Sequence, residues 1–227
     1  MKTKLLSLLV VLVVGVGTAF ATSCPATTYD NYVGPPSLSC TITDKTFSNF
    51  FYSTAGSDHM PDSQITVTPI ANIGSPALLF NAAWNVGSLH TQDSLLGFTV
   101  NVNPGSSLIT DLSLAMFGAG FTGTGSVSVS ETYCLGDTFA DGCKNGTTGT
   151  LFTYLNRTGS KLIDEVTFKG VSTVDVMKDV LLSGGDSGSA VLSGVENQFS
   201  EPEPSTLSVL GASLLIMGGL VRRRLGA

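Results

Sequence analysis

The chain has 227 residues with 11 basic and 17 acidic side chains, which give a net charge of −6 at pH 7. Residues 22–200 hold six basic and fifteen acidic residues, so this part is more acidic, near −9. Such a balance excludes nucleic acid and anionic surfaces as expected partners. The length of 22–200 suits one β-rich domain and is too short for two of ordinary size.

The first 21 residues have the three parts of a signal peptide. Basic residues at positions 2 and 4 precede the apolar run 5–16, and Ala19-Phe20-Ala21 fits the small-x-small cleavage rule. We therefore expect signal peptidase to cleave after Ala21. A lipoprotein signal with Cys24 as the lipidated residue is the second interpretation, because the residues before Cys24 lack the usual leucine.

The chain contains four cysteines: Cys24, Cys40, Cys134 and Cys143. In an exported chain we expect them to be oxidised, and four cysteines allow three pairings. We favour the local pairs Cys24–Cys40 and Cys134–Cys143, which close short loops. Metal ligation is the alternative, but neither spacing resembles Cys-x-x-Cys and no histidine lies near any of the four. We therefore predict structural disulfides, no metal and no cofactor.

The body of the chain alternates apolar and polar residues, most clearly from Leu95 onward, and turn residues separate the runs. Earlier strand candidates are 48–52, 64–69 and 77–81. About nine or ten short strands with little helical periodicity predict an all-β domain, an antiparallel β-sandwich that is jelly-roll-like or immunoglobulin-like. The predicted buried set includes Phe80, Trp84, Phe98, Val100, Leu112, Leu114, Val127, Val129, Phe168, Val176, Val180 and Val191.

Gly185-Asp186-Ser187-Gly188 matches the sequence around the nucleophile of trypsin-like serine proteases. Such an enzyme also needs a histidine base and a buried aspartate. Neither His59 nor His90 has the Ala-Ala-His-Cys context of that family, and little chain follows Ser187 before the C-terminal segment. A hairpin loop of small polar residues accounts equally well for the sequence Gly-Asp-Ser-Gly.

Two further sets of residues have metal-ligand chemistry. The first comprises His59, His90, Asp58, Asp62 and Asp93. Nothing in their spacing fixes them on one face, so we expect exposed loop residues. The second, Asp137 and Asp141, lacks the Asp-x-Asp-x-Asp-Gly ladder of a calcium loop.

Three aromatic residues, Trp84, Tyr52 and Tyr133, are candidates for a sugar-stacking platform on a face of the sandwich. Trp84 is the only tryptophan of the chain. A large ring of this kind usually buries most of its surface, so we expect Trp84 in the core.

The last 27 residues show three features in order. Pro202-Glu203-Pro204 is followed by an uncharged segment, about 205–221, and by the basic cluster Arg222, Arg223 and Arg224. The stretch Leu207–Val221 alone reaches only about 22 Å against a hydrocarbon core of roughly 30 Å. A transmembrane helix therefore needs Ser205 and Thr206 at one end and snorkelling arginines at the other. The positive-inside rule places the arginines in the cytoplasm and the body outside. A buried core helix with a basic end is the alternative.

This arrangement resembles the PEP-CTERM sorting signal of Gram-negative bacteria, over these 27 residues only. The resemblance implies that an exosortase recognises Glu203 and its neighbours and processes the chain. It also implies a passage through the inner membrane to the cell surface or the extracellular matrix, in association with exopolysaccharide. The stretches 109–114, 125–131 and 176–180 are similar to those that precede this signal in other such proteins, and they bring no known activity.

The chain thus divides into a signal peptide (1–21), an exported domain (22–200) and a sorting signal (201–227). We expect a non-enzymatic protein of the cell surface or the extracellular matrix. The alternative is a carbohydrate-binding module retained in that matrix, and a secreted hydrolase is the least favoured hypothesis.

Overall fold

A computed structural model describes residues 22–200, and these residues form a β-sandwich of two packed sheets. One helical turn, α1, spans Asp30–Val33, and a 3-10 turn spans Asp62–Gln64. The fifteen strands of this part are β1 Thr22–Ser23, β2 Thr27–Thr28, β3 Cys40–Ile42, β4 Lys45–Gly56, β5 Thr66–Ile70, β6 Ala77–Val86, β7 Thr91–Val102, β8 Ile109–Phe117, β9 Gly120–Thr122, β10 Ser126–Leu135, β11 Thr147–Asn156, β12 Gly159–Lys161, β13 Ile163–Val171, β14 Thr173–Ser183 and β15 Ser189–Ser200.

The first sheet, sheet A, has the order β1-β3-β4-β7-β14-β10-β11-β12. The second, sheet B, has the order β13-β8-β15-β6-β5-β2, and β9 also pairs with β15. Adjacent strands are antiparallel except β1 and β3, which pair in parallel. The predicted β-sandwich is confirmed, with more and longer strands than expected. The jelly-roll-like or immunoglobulin-like topology stays a prediction.

The core lies between the sheets and is rich in aromatic rings. Phe98 of sheet A packs 5.9 Å from Phe80 and 6.0 Å from Phe199 of sheet B, measured between ring centroids. Ten of the twelve residues predicted to be buried are buried. Phe168 is only half-buried because it lies on β13, an edge strand. Val191 is 44% exposed, so its predicted burial is wrong.

Both local disulfides are present. Cys24–Cys40 joins the segment after β1 to the start of β3, with 4.7 Å between the Cα atoms. Cys134–Cys143 joins the end of β10 to the loop that follows, with a sequence separation of 9. Disulfides are typical of proteins that fold outside the cytoplasm, so they indicate an exported domain.

The predicted signal peptide and the predicted sorting signal lie outside the described residues. That includes the cleavage residues Ala19 and Ala21, the motif 202–204, the transmembrane helix 205–221 and the arginine cluster. Within 22–200, no helix has both the length and the apolar character that a membrane crossing requires.

Candidate functional site: an aromatic cleft on the outer face of sheet A

A β-bulge on β4 places an aromatic ring on the outside of the sandwich. Phe47 and Phe50 both point into the core, although simple alternation would send them to opposite faces. The register between β4 and β7 shifts between Ser48 and Phe51, and Asn49 adopts a left-handed φ of 55°. A bulge of this kind adds one residue and reverses the parity of the strand. Phe51 therefore faces outward and is 37% exposed.

The Phe51 ring lies directly over Gly97 of β7. A Cβ atom built on Gly97 would stand only 1.9 Å from Cε1 of Phe51, so no other residue leaves room for the ring. On the inner side, the hydroxyl of Tyr29 lies 3.1 Å from the carbonyl oxygens of both Phe51 and Gly97. Burial raises the pKa of Tyr29 far above its ordinary value, which keeps this hydroxyl a donor. The hydroxyl of Tyr29 thus fixes the backbone that supports the Phe51 ring.

Polar groups line the cleft beside this ring. The Asn49 amide donates to Thr99 Oγ1 at 3.1 Å, and the Thr99 hydroxyl donates to Asp175 Oδ1 at 2.9 Å. The other oxygen of Asp175 accepts the Phe139 backbone N–H at 2.8 Å. Burial raises the pKa of the Asp175 carboxyl, and the hydrogen bonds from Phe139 and Thr99 oppose that rise. The chain of hydrogen bonds fixes the Asp175 carboxyl in one orientation.

The loop after β10 forms the opposite wall through Thr138, Phe139 and Ala140. Asp137 organises this loop: its oxygens accept the backbone N–H groups of Thr138 at 2.9 Å and Asn145 at 3.0 Å. These two hydrogen bonds, first the one from Asn145, lower the pKa of the Asp137 carboxyl. Together with the Cys134–Cys143 disulfide they hold Phe139 in place.

The resulting cleft has a volume of about 240 Å³. Its apolar part comprises Phe51, Phe139 and Met177, and its polar part comprises Asn49, Thr99, Thr138 and Asp175. Ligand sites typically combine an apolar lining with a few fixed polar groups, at about 300–1,000 Å³ for drug-sized ligands. The cleft therefore suits a small ligand with one apolar face and several hydrogen-bonding groups.

Two other features lie on the same face. Asp93 and Asp179 form a carboxyl pair beside Leu95, and the hydrogen bond and charge of Asp93 add to burial in raising the pKa of Asp179 to about 6. Further along, the rings of Phe152 and Tyr154 stack with centroids 5.7 Å apart on β11, and Phe152 is 45% exposed. Neither feature was predicted from the sequence.

The protease-like motif forms a loop between β14 and β15. Ser187 is exposed, and its backbone N–H donates to Thr124 Oγ1 at 3.0 Å. Among the hydrogen bonds of residues 22–200, none joins Ser187 to His59 or His90. The structure therefore does not assemble the nucleophile and base that the hydrolase hypothesis requires.

The predicted metal-ligand candidates come together only in part. His90 Nδ1 lies 2.8 Å from Asp58 Oδ1, in an exposed pair. In the loop 136–146, Asp137 is occupied by backbone N–H groups, and Asp141 accepts a 3.4 Å hydrogen bond from Thr138. Within the described part of the chain, no three histidine, cysteine, aspartate or glutamate residues form a group able to hold a metal ion.

The candidate aromatic platform of Trp84, Tyr52 and Tyr133 does not form. Trp84 is 1% exposed, as expected for the core, and its indole N–H donates to Ser94 Oγ at 3.2 Å. Tyr133 is also buried, and Tyr52 is half-buried, with its hydroxyl bonded to the Met60 carbonyl. The exposed rings of this face are instead Phe51 and Phe152. The sequence does contain an indication of an outward ring. Phe50 and Phe51 are consecutive in a predicted strand, so alternation must place one of the two rings on the outer face.

No family model matches the sequence, and no curated protein matches it. Among solved structures, the carbohydrate-binding module TmCBM61 in complex with β-1,4-galactotriose is 10% identical, with 66% of this chain and 88% of that chain covered and a TM-score of 0.32. The family 32 module of NanJ from C. perfringens, in complex with galactose, is 14% identical, with 64% and 93% covered and a TM-score of 0.23. The Gap123 glycosylation-associated complex from Streptococcus agalactiae is 11% identical, with 66% and 26% covered and a TM-score of 0.27. At such scores, ligand and site must be argued from this chain's own residues.

Proposed function

We propose that the protein is an exported, non-enzymatic carbohydrate-binding protein of the cell surface or the extracellular matrix. The observation that carries the proposal is the outward ring of Phe51, which covers Gly97 beside the fixed carboxyl group of Asp175. A sugar ring presents C–H groups on one face and hydroxyls around its edge. An aromatic ring next to hydrogen-bonding side chains matches both.

The polar groups leave acceptor capacity for such a ligand. A carboxyl group offers about four lone-pair positions, and on Asp175 the protein uses some of them for Thr99, Phe139 and the backbone N–H of Val176. Asp175 lines the cleft, where sugar hydroxyls can donate to its remaining acceptor capacity. The carbonyl oxygen of the Asn49 side chain adds a second acceptor. Because the hydrogen bonds to Asp175 exist before a ligand binds, little ordering is needed on binding.

The proposal keeps the route that the sequence predicts. After cleavage behind Ala21, residues 22–200 fold outside the cytoplasm with their two disulfides, while the helix 205–221 holds the chain in the inner membrane. An exosortase then processes it at Pro202-Glu203-Pro204. A domain that binds carbohydrate would associate with exopolysaccharide after this processing.

A glycan array probed with the purified exported protein tests the proposed ligand class. Phe51→Ala should weaken binding by about tenfold, equivalent to about 1.4 kcal/mol for the lost ring contact. Phe152→Ala is the matched control, because it removes the same side chain at a similar exposure elsewhere on the face. If the wild type binds no glycan, or if only Phe152→Ala loses binding, the cleft is not a carbohydrate site.

Mass spectrometry of the mature protein from its native host tests the route. We expect the N-terminus at residue 22 and the loss of the C-terminal helix. A chain that still ends in Arg-Arg-Arg-Leu-Gly-Ala, in a host that encodes an exosortase, contradicts the sorting proposal without touching the carbohydrate proposal.

A further inference from the structure

Three polar side chains meet in the core between the sheets, on the face of sheet A opposite to the cleft. Glu131 on β10 and Lys178 on β14 are direct cross-strand partners. Asn197 on β15 reaches them from sheet B. All three side chains have an exposed fraction of 0%. An amine, a carboxyl group and an amide are thus sealed together among apolar residues.

Their contacts bring every pair of these groups together. Lys178 Nζ lies 2.8 Å from Glu131 Oε2 and contacts the side-chain oxygen of Asn197. The Asn197 amide nitrogen donates to Oε1 and Oε2 of Glu131 at 2.8 and 2.6 Å. One carboxyl group therefore touches both the amine and the amide nitrogen, and the amine sits against the amide carbonyl.

Complete burial favours the uncharged amine, although the faces of neighbouring aromatic rings attract a cation. The rings of Phe80 and Phe98 lie with their centroids 5.3 and 5.4 Å from Lys178 Nζ. Burial lowers the pKa of Lys178, although the nearby Glu131 carboxylate opposes this. In this fully buried site, transfer of the proton from Lys178 to Glu131 removes two buried charges at once. The product is a neutral amine, which is a nucleophile, beside a neutral carboxylic acid.

We propose that Lys178 and Asn197 join in an intramolecular isopeptide bond, with Glu131 as the catalytic acid and base. Nζ of Lys178 attacks Cγ of Asn197, and the Nζ–Cγ bond forms. Neutral Glu131 delivers its proton to Nδ2 and accepts a proton from Nζ in exchange. The Cγ–Nδ2 bond then breaks, and Nδ2 leaves as ammonia, while Cγ and its oxygen remain as an amide with Lys178. No oxidant, metal or water is consumed.

Such a bond would tie sheet A to sheet B through the middle of the core. Lys178 and Asn197 lie on consecutive strands of different sheets, 19 residues apart. The disulfides reach neither residue: Cys24–Cys40 connects β1 with β3, and Cys134–Cys143 closes a surface loop. An amide cross-link also survives reduction, unlike a disulfide. This inference is independent of the carbohydrate cleft.

The test is the mass of the exported protein after reduction of its disulfides. We expect every chain to be lighter than its sequence by one ammonia, and trypsin to leave the chain uncut after Lys178. Digestion with a glutamyl endopeptidase locates the bond, because cleavage after Glu165 and Glu196 separates 166–196 from the peptide that begins at Asn197. The two peptides should remain covalently joined.

Glu131→Gln keeps the shape of the side chain but cannot shuttle protons, so it should show the full sequence mass and two separate peptides. Glu165→Gln, which changes an exposed glutamate on β13, should retain the loss of ammonia. A wild-type protein with the full sequence mass overturns the proposal. A loss of ammonia with unlinked peptides also overturns it, because that result indicates a succinimide. A cross-link in Glu131→Gln overturns the role of Glu131.

Discussion

Gly97→Ala should destabilise the protein only when the Phe51 ring is present. The new Cβ would lie 1.9 Å from Cε1 and 2.4 Å from Cζ of Phe51, far inside van der Waals contact. The ring must therefore leave the surface of the sheet. The backbone of Gly97 needs no left-handed conformation, so the ring is the main obstacle to this substitution.

Two opposing effects set the magnitude. Replacing a glycine inside a strand stabilises the fold by roughly 0.5–1 kcal/mol through backbone entropy. The steric conflict costs about 1–3 kcal/mol, and the half-exposed Phe51 side chain can rotate, so we expect the lower end of this range. In the wild type the net effect should be a loss of up to about 1 kcal/mol. In the Phe51→Ala background the same substitution should stabilise the protein, which gives a coupling energy of about 1–2 kcal/mol.

Urea unfolding of the wild type, both single variants and the double variant measures this coupling. Trp84, the only tryptophan and a buried one, reports unfolding by fluorescence. Glycan binding measured on the same four proteins should fall for Gly97→Ala although the protein stays folded. Additive changes in the free energy of unfolding would refute the placement of the ring over Gly97.

Three other outcomes follow from the same structure. Because the pKa of Asp179 is raised to about 6, its stabilising contribution is complete below the unfolded value near 3.9 and is lost as the pH rises through 6. The urea midpoint should thus be higher at pH 5 than at pH 7, and Asp179→Asn should reduce the difference; an unchanged difference contradicts this. Replacing Cys134 and Cys143 by serine should cost about 2.5 kcal/mol and weaken glycan binding, since the loop that carries Phe139 is released. Urea unfolding and glycan binding are measured on the same variant. A variant that loses stability but binds glycan as the wild type does would contradict a role of this loop in the cleft. Trp84→Ala should cost about 3–5 kcal/mol, so a thermal midpoint close to the wild type would argue against its burial.

The sequence predicts the strands where alternation is regular. Val127 and Val129 on β10 and Val176 and Val180 on β14 are buried as their period of two requires. The short spacings of the cysteines were enough to favour the observed pairs. Local periodicity and local loop closure are visible in a single sequence because they depend on neighbours along the chain.

Where several apolar residues follow one another in a strand, the sequence does not decide which of them face the core. Ala190, Val191 and Leu192 are three consecutive apolar residues on β15, and alternation permits either Val191 or its two neighbours in the core. The structure buries Ala190 and Leu192, whereas Val191, which pairs with Gly120 of the short strand β9, is exposed. Such a choice depends on the pairing of β15 with other strands, which local patterning does not contain.

The cleft was missed for a related reason. Asn49 shifts the parity of β4 by one residue, and no rule of composition assigns a bulge to one asparagine. Its second requirement, a glycine opposite Phe51, comes from β7, nearly fifty residues further along the chain. The cleft therefore depends on a register between strands that the sequence alone does not define.

The buried cluster, in contrast, was within reach of the sequence. If Val129 and Val176 point inward, the period of two places Glu131 and Lys178 on the same inward faces. Charged residues at inward positions of two strands are costly unless they pair or react, because each would lose its hydration. Only the partner from sheet B, Asn197, required the structure, since it meets them across the core. A charged residue at an inward-facing position of a strand thus indicates a buried ion pair or a buried reactive group. The mass of the protein distinguishes a salt bridge from a covalent bond.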